Sequence, residues 1–146
     1  MRFWTSYFGN VRNIPSDIVP VSIAGRSPKW WKGLEYKKLA PSWDIYSKWK
    51  YQHHDDGIYT ARFNAERLDK LNFSNVVSEL MRLSDNKDIC LLCYEIPSMF
   101  CHRHLVAKWF TEHGYTTLEL TKDSVRTVIQ PAAQTPKETP EQPNNQ

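Results

Sequence analysis

The chain has 146 residues, 40% apolar and 24% charged, with five Gly and nine Pro, which suits one folded domain and excludes collagen-like or wholly disordered chains. Its longest apolar runs, such as 89–93, fall far short of the roughly 20 residues a membrane-spanning helix needs, and the first ten residues read as no secretory signal. Three cysteines, an odd number, and a net charge of +3 point to a reducing, cytoplasmic setting rather than a disulfide framework.

Residues 2–8 are short and aromatic and precede the turn pair Gly9-Asn10, which predicts an opening strand. A β-branched run, 18–24, predicts a second strand that ends at Ala24-Gly25-Arg26-Ser27-Pro28, the kind of loop where α/β folds place ligand contacts. Residues 28–41 are aromatic and basic without a period, so a short helix and an ordered loop both stay open. Ser42 caps a predicted helix reaching about Tyr51, with Trp43, Tyr46, Trp49 and Lys50 at helical spacing. His53-His54-Asp55-Asp56-Gly57 closes it, either as a helix C-terminus or as a metal-binding run.

Residues 59–71 are mostly polar, with Phe63, Leu68 and Leu71 at helical spacing. A clearer helix spans 73–83, capped by Ser74, with Val76, Val77, Leu80, Met81 and Leu83 as its apolar stripe. The apolar run within 88–95 is the pattern of a central strand covered on both faces. A helix over 101–113 and a strand over 115–120 follow, separated by Gly114. Residues 130–146 hold four Pro and no aliphatic side chain larger than Ala, which predicts a folded domain over 1–128 and a disordered tail over 129–146. The alternation of helices and strands predicts a single α/β domain with a mostly parallel sheet flanked by helices.

Charge is divided unevenly. Residues 1–54 carry nine Lys or Arg against three acids and five of the six Trp, while the remainder carries ten against thirteen. Such a basic aromatic half fits a nucleic-acid surface, or a small core of Trp with Lys at its rim.

The reactive side chains crowd between the central strand and the helix after it: Cys90, Cys93, Tyr94, Glu95, Cys101, His102, Arg103 and His104. Alternation along a strand puts Cys93 and Glu95 on one face and Cys90 on the other, so Cys90 reads as core and the other two as cleft residues. Cys101 falls at the helix start, where free N–H groups stabilise a thiolate and bind anions. Arg103 opposes the helix dipole there by about 0.3–1 kcal/mol and calls for an anionic partner, either Glu95 or a ligand. His102 shares a stripe with Val106 and Trp109 and faces the sheet, which favours it over His104. A zinc site built from Cys90, Cys93, Cys101 and His104 is the rival reading, since the pair spacings fit four-coordinate sites.

Leu91-Leu92-Cys93-Tyr94-Glu95, then Pro97, then Phe100-Cys101-His102-Arg103-His104-Leu105 with Trp109 downstream, resembles the signature of the domain of unknown function 488 family, in the spelling of its compact phage and bacterial members. Thr5-Ser6-Tyr7-Phe8, Val21-Ser22-Ile23 and Leu39-Ala40-Pro41 extend the resemblance over about 1–120. It implies a Rossmann-like domain without an established reaction and a site at Cys93, Glu95, Cys101, His102 and Arg103. Gly25-Arg26-Ser27-Pro28 is a shortened form of an Arg-bearing segment after the second strand.

Together these features predict an enzyme without a resident cofactor, acting on an anionic, phosphorylated and nucleotide-like small molecule. Cys93 or Cys101 is the nucleophile, Glu95 or His102 the proton carrier, and Arg103, Arg26, Ser27 and Tyr94 are ligand contacts. The alternatives are a nucleic-acid-binding module using the basic aromatic half and a zinc-stabilised interaction protein.

Overall fold

Five strands, β1 (Phe3–Tyr7), β2 (Ile18–Ser22), β3 (Leu34–Glu35), β4 (Asp88–Cys93) and β5 (Thr117–Glu119), pair in the order β3-β2-β4-β1-β5, and every pairing is parallel. The computed structural model describes residues 1–124; the domain end expected at 128 and the tail over 129–146 lie outside them. β4 is central, with Phe3 opposite Ile89 on one side and Val19 opposite Ile89 on the other. Its residues 89–93 are all buried, as a continuous apolar run in a parallel sheet requires. The Rossmann-like arrangement is thus present. Among the described residues no helix is long and apolar enough to cross a membrane.

The handedness of the crossovers decides what covers each face. The connections from β3 to β4 and from β4 to β5 run one way across the sheet, those from β1 to β2 and from β2 to β3 the other. Right-handed crossovers of opposite direction lie on opposite faces. The first two carry all four α-helices: α1 (Trp43–Lys48), α2 (Asp56–Glu66) and α3 (Phe73–Leu83) before β4, and α4 (His102–Glu112) after it. Their buried residues, among them Ile45, Phe63, Leu80 and Phe110, form one core with Phe3, Val21, Ile89 and Leu91. On the opposite face Trp4, Ile18, Cys90, Leu92 and Leu120 are covered more thinly by Phe8, Val11, Ile14 and Trp31. Cys90 is fully buried there, as a core residue, and Cys93 and Cys101 border the same cluster. The helices collect on one face because the leftward crossovers are short.

Local chemistry sets the element ends. Ser42 caps α1 as expected, its Oγ accepting from the Ile45 N–H at 3.1 Å. The helix continues as a π-turn over Trp49–His53, and His54, with φ of 54°, takes the left-handed position at its end. His53 Nδ1 accepts from the Asp55 N–H and Asp55 Oδ1 accepts from the Ile58 N–H, so the His-Asp run is two caps back to back and no metal cluster. Asn72, not Ser74, caps α3, because its side chain accepts from the Asn75 N–H. Residues 28–41 form an ordered loop that holds a short 3-10 turn at Lys37–Leu39 and, unforeseen, the two-residue β3. Gly33 is required there, since a Cβ would lie 2.6 Å from the Trp31 ring.

One ion pair ties α4 to the sheet. Arg103 has no exposed surface, and its Nη2 meets Glu119 Oε2 at 2.8 Å. Glu119 lies beside Thr5 in the β1–β5 register and also accepts from Thr5 Oγ1 at 2.6 Å. The anionic partner of Arg103 is thus Glu119, not Glu95 or a ligand. Arg103→Met leaves the Glu119 carboxylate partly buried beside an apolar chain, and urea denaturation is expected to show a loss of about 3–5 kcal/mol, part of which Glu119→Leu restores in the double variant. A loss under about 0.5 kcal/mol would show that the pair does not hold the helix.

Candidate functional site

The chain leaving β4 turns to the opposite face from the chains leaving its neighbours β1 and β2, so a crevice opens at the carboxyl end of β4. Cys93 is the last residue of that strand and faces α4. Cys101 stands at the N-cap of α4 in extended conformation and His102 is the first helical residue, so the helix start carries two reactive side chains back to the strand tip. The Cys93 and Cys101 sulfurs and a His102 ring nitrogen lie within 4.8 Å of one another, and all three residues are buried.

Hydrogen bonding orients the imidazole. His102 Nε2 lies 2.7 Å from the Ile23 carbonyl oxygen, an acceptor only, so Nε2 carries a proton. Nδ1 then faces Cys93 Sγ at 3.6 Å. A hydrogen bond from the Cys93 thiol holds the Cys101 thiol far below its ordinary range, and His102 and the Arg103 charge overcome the opposing effect of burial. The same bond, with burial, pushes Cys93 well up. The two sulfurs thus share one proton, and the direction of both shifts favours Cys101 as the thiolate. Burial raises Cys90, so it stays a thiol.

These three residues line a cavity of about 820 Å³. Arg26, Tyr94 and Glu95 line it too, and the Tyr94 hydroxyl donates to the Arg26 carbonyl, tying the loop after β2 to the tip of β4. Ser27 is not in the wall: its hydroxyl donates to Glu35 and bonds Ser22. Arg103 does not reach the cavity, being held under α4 by Glu119. Of the proposed zinc set, neither Cys90 nor His104 joins the group formed by Cys93, Cys101 and His102, and His104 Nε2 is buried without a partner. Among the described residues the group that clusters is Cys93, Cys101 and His102.

The far wall is aromatic and cationic. Trp43 and Tyr46 from α1, Trp49 from the π-turn, Tyr59 from α2 and Phe100 line it, with Lys50 beside them. Their rings form a connected row, Tyr46 to Trp49 at 6.2 Å, Trp49 to Phe100 at 5.7 Å and Phe100 to Tyr59 at 5.0 Å between centroids. Trp49 is fixed by its Nε1–H, which donates to Asp56 Oδ1 at 2.8 Å. A π-turn is a common device at functional sites because it rotates side chains off the α-helical period. Burial and the nearby sulfurs of Cys101 and Cys93 raise Tyr59, so it stays a neutral phenol. Sequence reading missed this wall as a part of the site. Its signal was present in the basic aromatic run, yet that run reads equally as core. Tyr59 gave none, since it sits in a mostly polar stretch.

This arrangement makes Cys101 the most reactive of the three thiols. Iodoacetamide at neutral pH, followed by peptide mass spectrometry, is expected to modify Cys101 first and Cys90 last. The Cys101 rate should stay flat as pH falls from 8 to 6, where an ordinary thiol, with a value near 9, slows about tenfold per unit. Cys93→Ala removes the donor and should restore an ordinary pH slope. An equal rate at Cys90 would contradict the geometry.

A model of the family DUF488-N3a, described as the active DUF488-N3 subclade, matches residues 8–114. No curated protein and no solved structure matches the chain. The match spans the strand tip, the helix start and the aromatic wall, and on it the chain belongs to the domain of unknown function 488 family.

Proposed function

We propose that the protein is a thiol-centred enzyme that acts on an anionic, phosphorylated ligand of nucleotide-like form. The observation that carries this reading is the Cys101 sulfur at the head of α4, next to the Cys93 thiol and the His102 ring and facing an aromatic, cationic wall across one cavity. A planar ring system stacks on Trp43, Tyr46 or Trp49, and an anionic group meets Arg26, Lys50 and the free N–H groups of the helix start. Attack by the Cys101 thiolate on an electrophilic carbon forms a C–S bond as the bond from that carbon to the leaving group breaks, and the leaving group takes the proton held by Cys93; water then displaces the sulfur from the carbon and returns a proton to Cys93. Glu95, at the cavity edge, is a further proton carrier, and the neutral Tyr59 phenol is a hydrogen-bond donor to the ligand. Arg103 acts through the fold and through its charge below the sulfurs. The description of the matched subclade as active accords with a catalytic role.

The test is a thermal-shift series with nucleoside monophosphates, inorganic phosphate and short single-stranded DNA. A nucleoside monophosphate at saturating concentration is expected to raise Tm by several degrees. Arg26→Ala and Lys50→Ala should each remove most of that shift, and Trp43→Ala, at a position 70% exposed, should reduce it without loss of fold. No shift with any nucleotide or with phosphate would overturn the reading. A shift with DNA alone, steeply reduced by salt, would replace it with the nucleic-acid reading.

A further inference from the structure

The set of three at the strand tip has the geometry of a metal site. A tetrahedral ion with a bond of about 2.3 Å to sulfur and about 2.0–2.1 Å to nitrogen places the two ligand atoms about 3.6 Å apart. Cys93 Sγ and His102 Nδ1 are 3.6 Å apart. The Cys101 sulfur lies within 4.8 Å of both, so a small closure of one side chain completes a triangular face. Two thiolates and an imidazole are the ligands that zinc-class ions select. The outer contact fits as well, because a ligating imidazole needs its second nitrogen held, and His102 Nε2 donates to the Ile23 carbonyl at 2.7 Å. All three residues line the cavity, which leaves a fourth position open to it. The buried cation of the same helix turn, Arg103, is bonded by Glu119.

We infer that Cys93, Cys101 and His102 bind one zinc-class divalent ion, and that the bound ion occupies the Cys101 sulfur and silences it as a nucleophile. The second half rests on the thiol-centred reading above; the first does not. The ligand set differs from the one the sequence spacing suggests, since His102 takes the place of His104 and Cys90 is excluded. The open fourth position takes water or an anionic group of a molecule in the cavity.

The test titrates the chelator-stripped full chain with cobalt(II) and then zinc(II). One equivalent of cobalt should give the intense visible absorption of a tetrahedral thiolate site, and zinc should bleach it. Cys93→Ser, Cys101→Ser and His102→Gln should each weaken binding by more than the roughly 10–100-fold that loss of an outer-shell partner causes. Cys90→Ser and His104→Gln should bind as the wild type does, and circular dichroism of each variant separates lost ligands from lost fold. Zinc should also block iodoacetamide at Cys101. Absence of stoichiometric binding, or binding that survives His102→Gln but not His104→Gln, would overturn the site. Nucleotide thermal shifts in chelator report on the enzyme reading separately: they can fail while the metal titration succeeds, and the reverse.

Discussion

A buried cation cannot be left unpaired, and Arg103, with no exposed surface, makes that rule the organising constraint of this fold. Its partner comes from β5, the last strand to join the sheet, and the same carboxylate takes a hydrogen bond from Thr5 on β1. The pair therefore exists only when β1 and β5 are in register and α4 lies across both. With the first turn of α4 fixed, Cys101 and His102 have one place to go, at the end of β4. A cation in the first helical turn is unfavourable in isolation; here it serves position, and its charge beneath the sulfurs favours a thiolate.

The topology then explains why this end of β4 is open. The connections from β1 and β2 leave to one side and that from β4 to the other, so nothing fills the crevice between them. The uneven charge along the chain acquires a spatial meaning. The basic aromatic half contributes Arg26, Trp43, Tyr46, Trp49 and Lys50, and the later half contributes Cys93, Cys101 and His102, to one cavity. The two halves are opposite walls of a single site, with ring-stacking and cationic groups on one and the proton-sharing sulfurs on the other.

Much of this was legible in residue order because it depends on local periodicity. Alternation alone separates Cys90 from Cys93, the stripe of α4 alone prefers His102 to His104, and the apolar run of β4 alone marks it as central. What escaped depends on long-range register. Nothing near Arg103 in sequence announces Glu119, which becomes its neighbour only through the pairing of Thr5 with Glu119. Glu95, the nearer candidate, lies in the loop beyond β4, where it reaches the cavity and not the arginine. The aromatic wall escaped for a different reason: Trp43, Tyr46, Trp49 and Lys50 do gather on one side, as their spacing suggests, but spacing alone does not distinguish a face that lines a cavity from one buried in a core. β3 is two residues long and has no periodicity to detect. Asn72 outcompetes Ser74 as a cap because the helix begins at Phe73, two residues earlier than a Ser74 cap would place it.

The strand tip and the helix start bring Cys93 and Cys101 together while Cys90 stays apart from them. Phenylarsine oxide, a trivalent arsenical that bridges two adjacent thiols, tests it directly in the reduced, metal-free protein. One arsenic per chain is expected, mapped to Cys93 and Cys101, and abolished by Cys93→Ser or Cys101→Ser but not by Cys90→Ser. Failure to bind, or a bridge that includes Cys90, would contradict it.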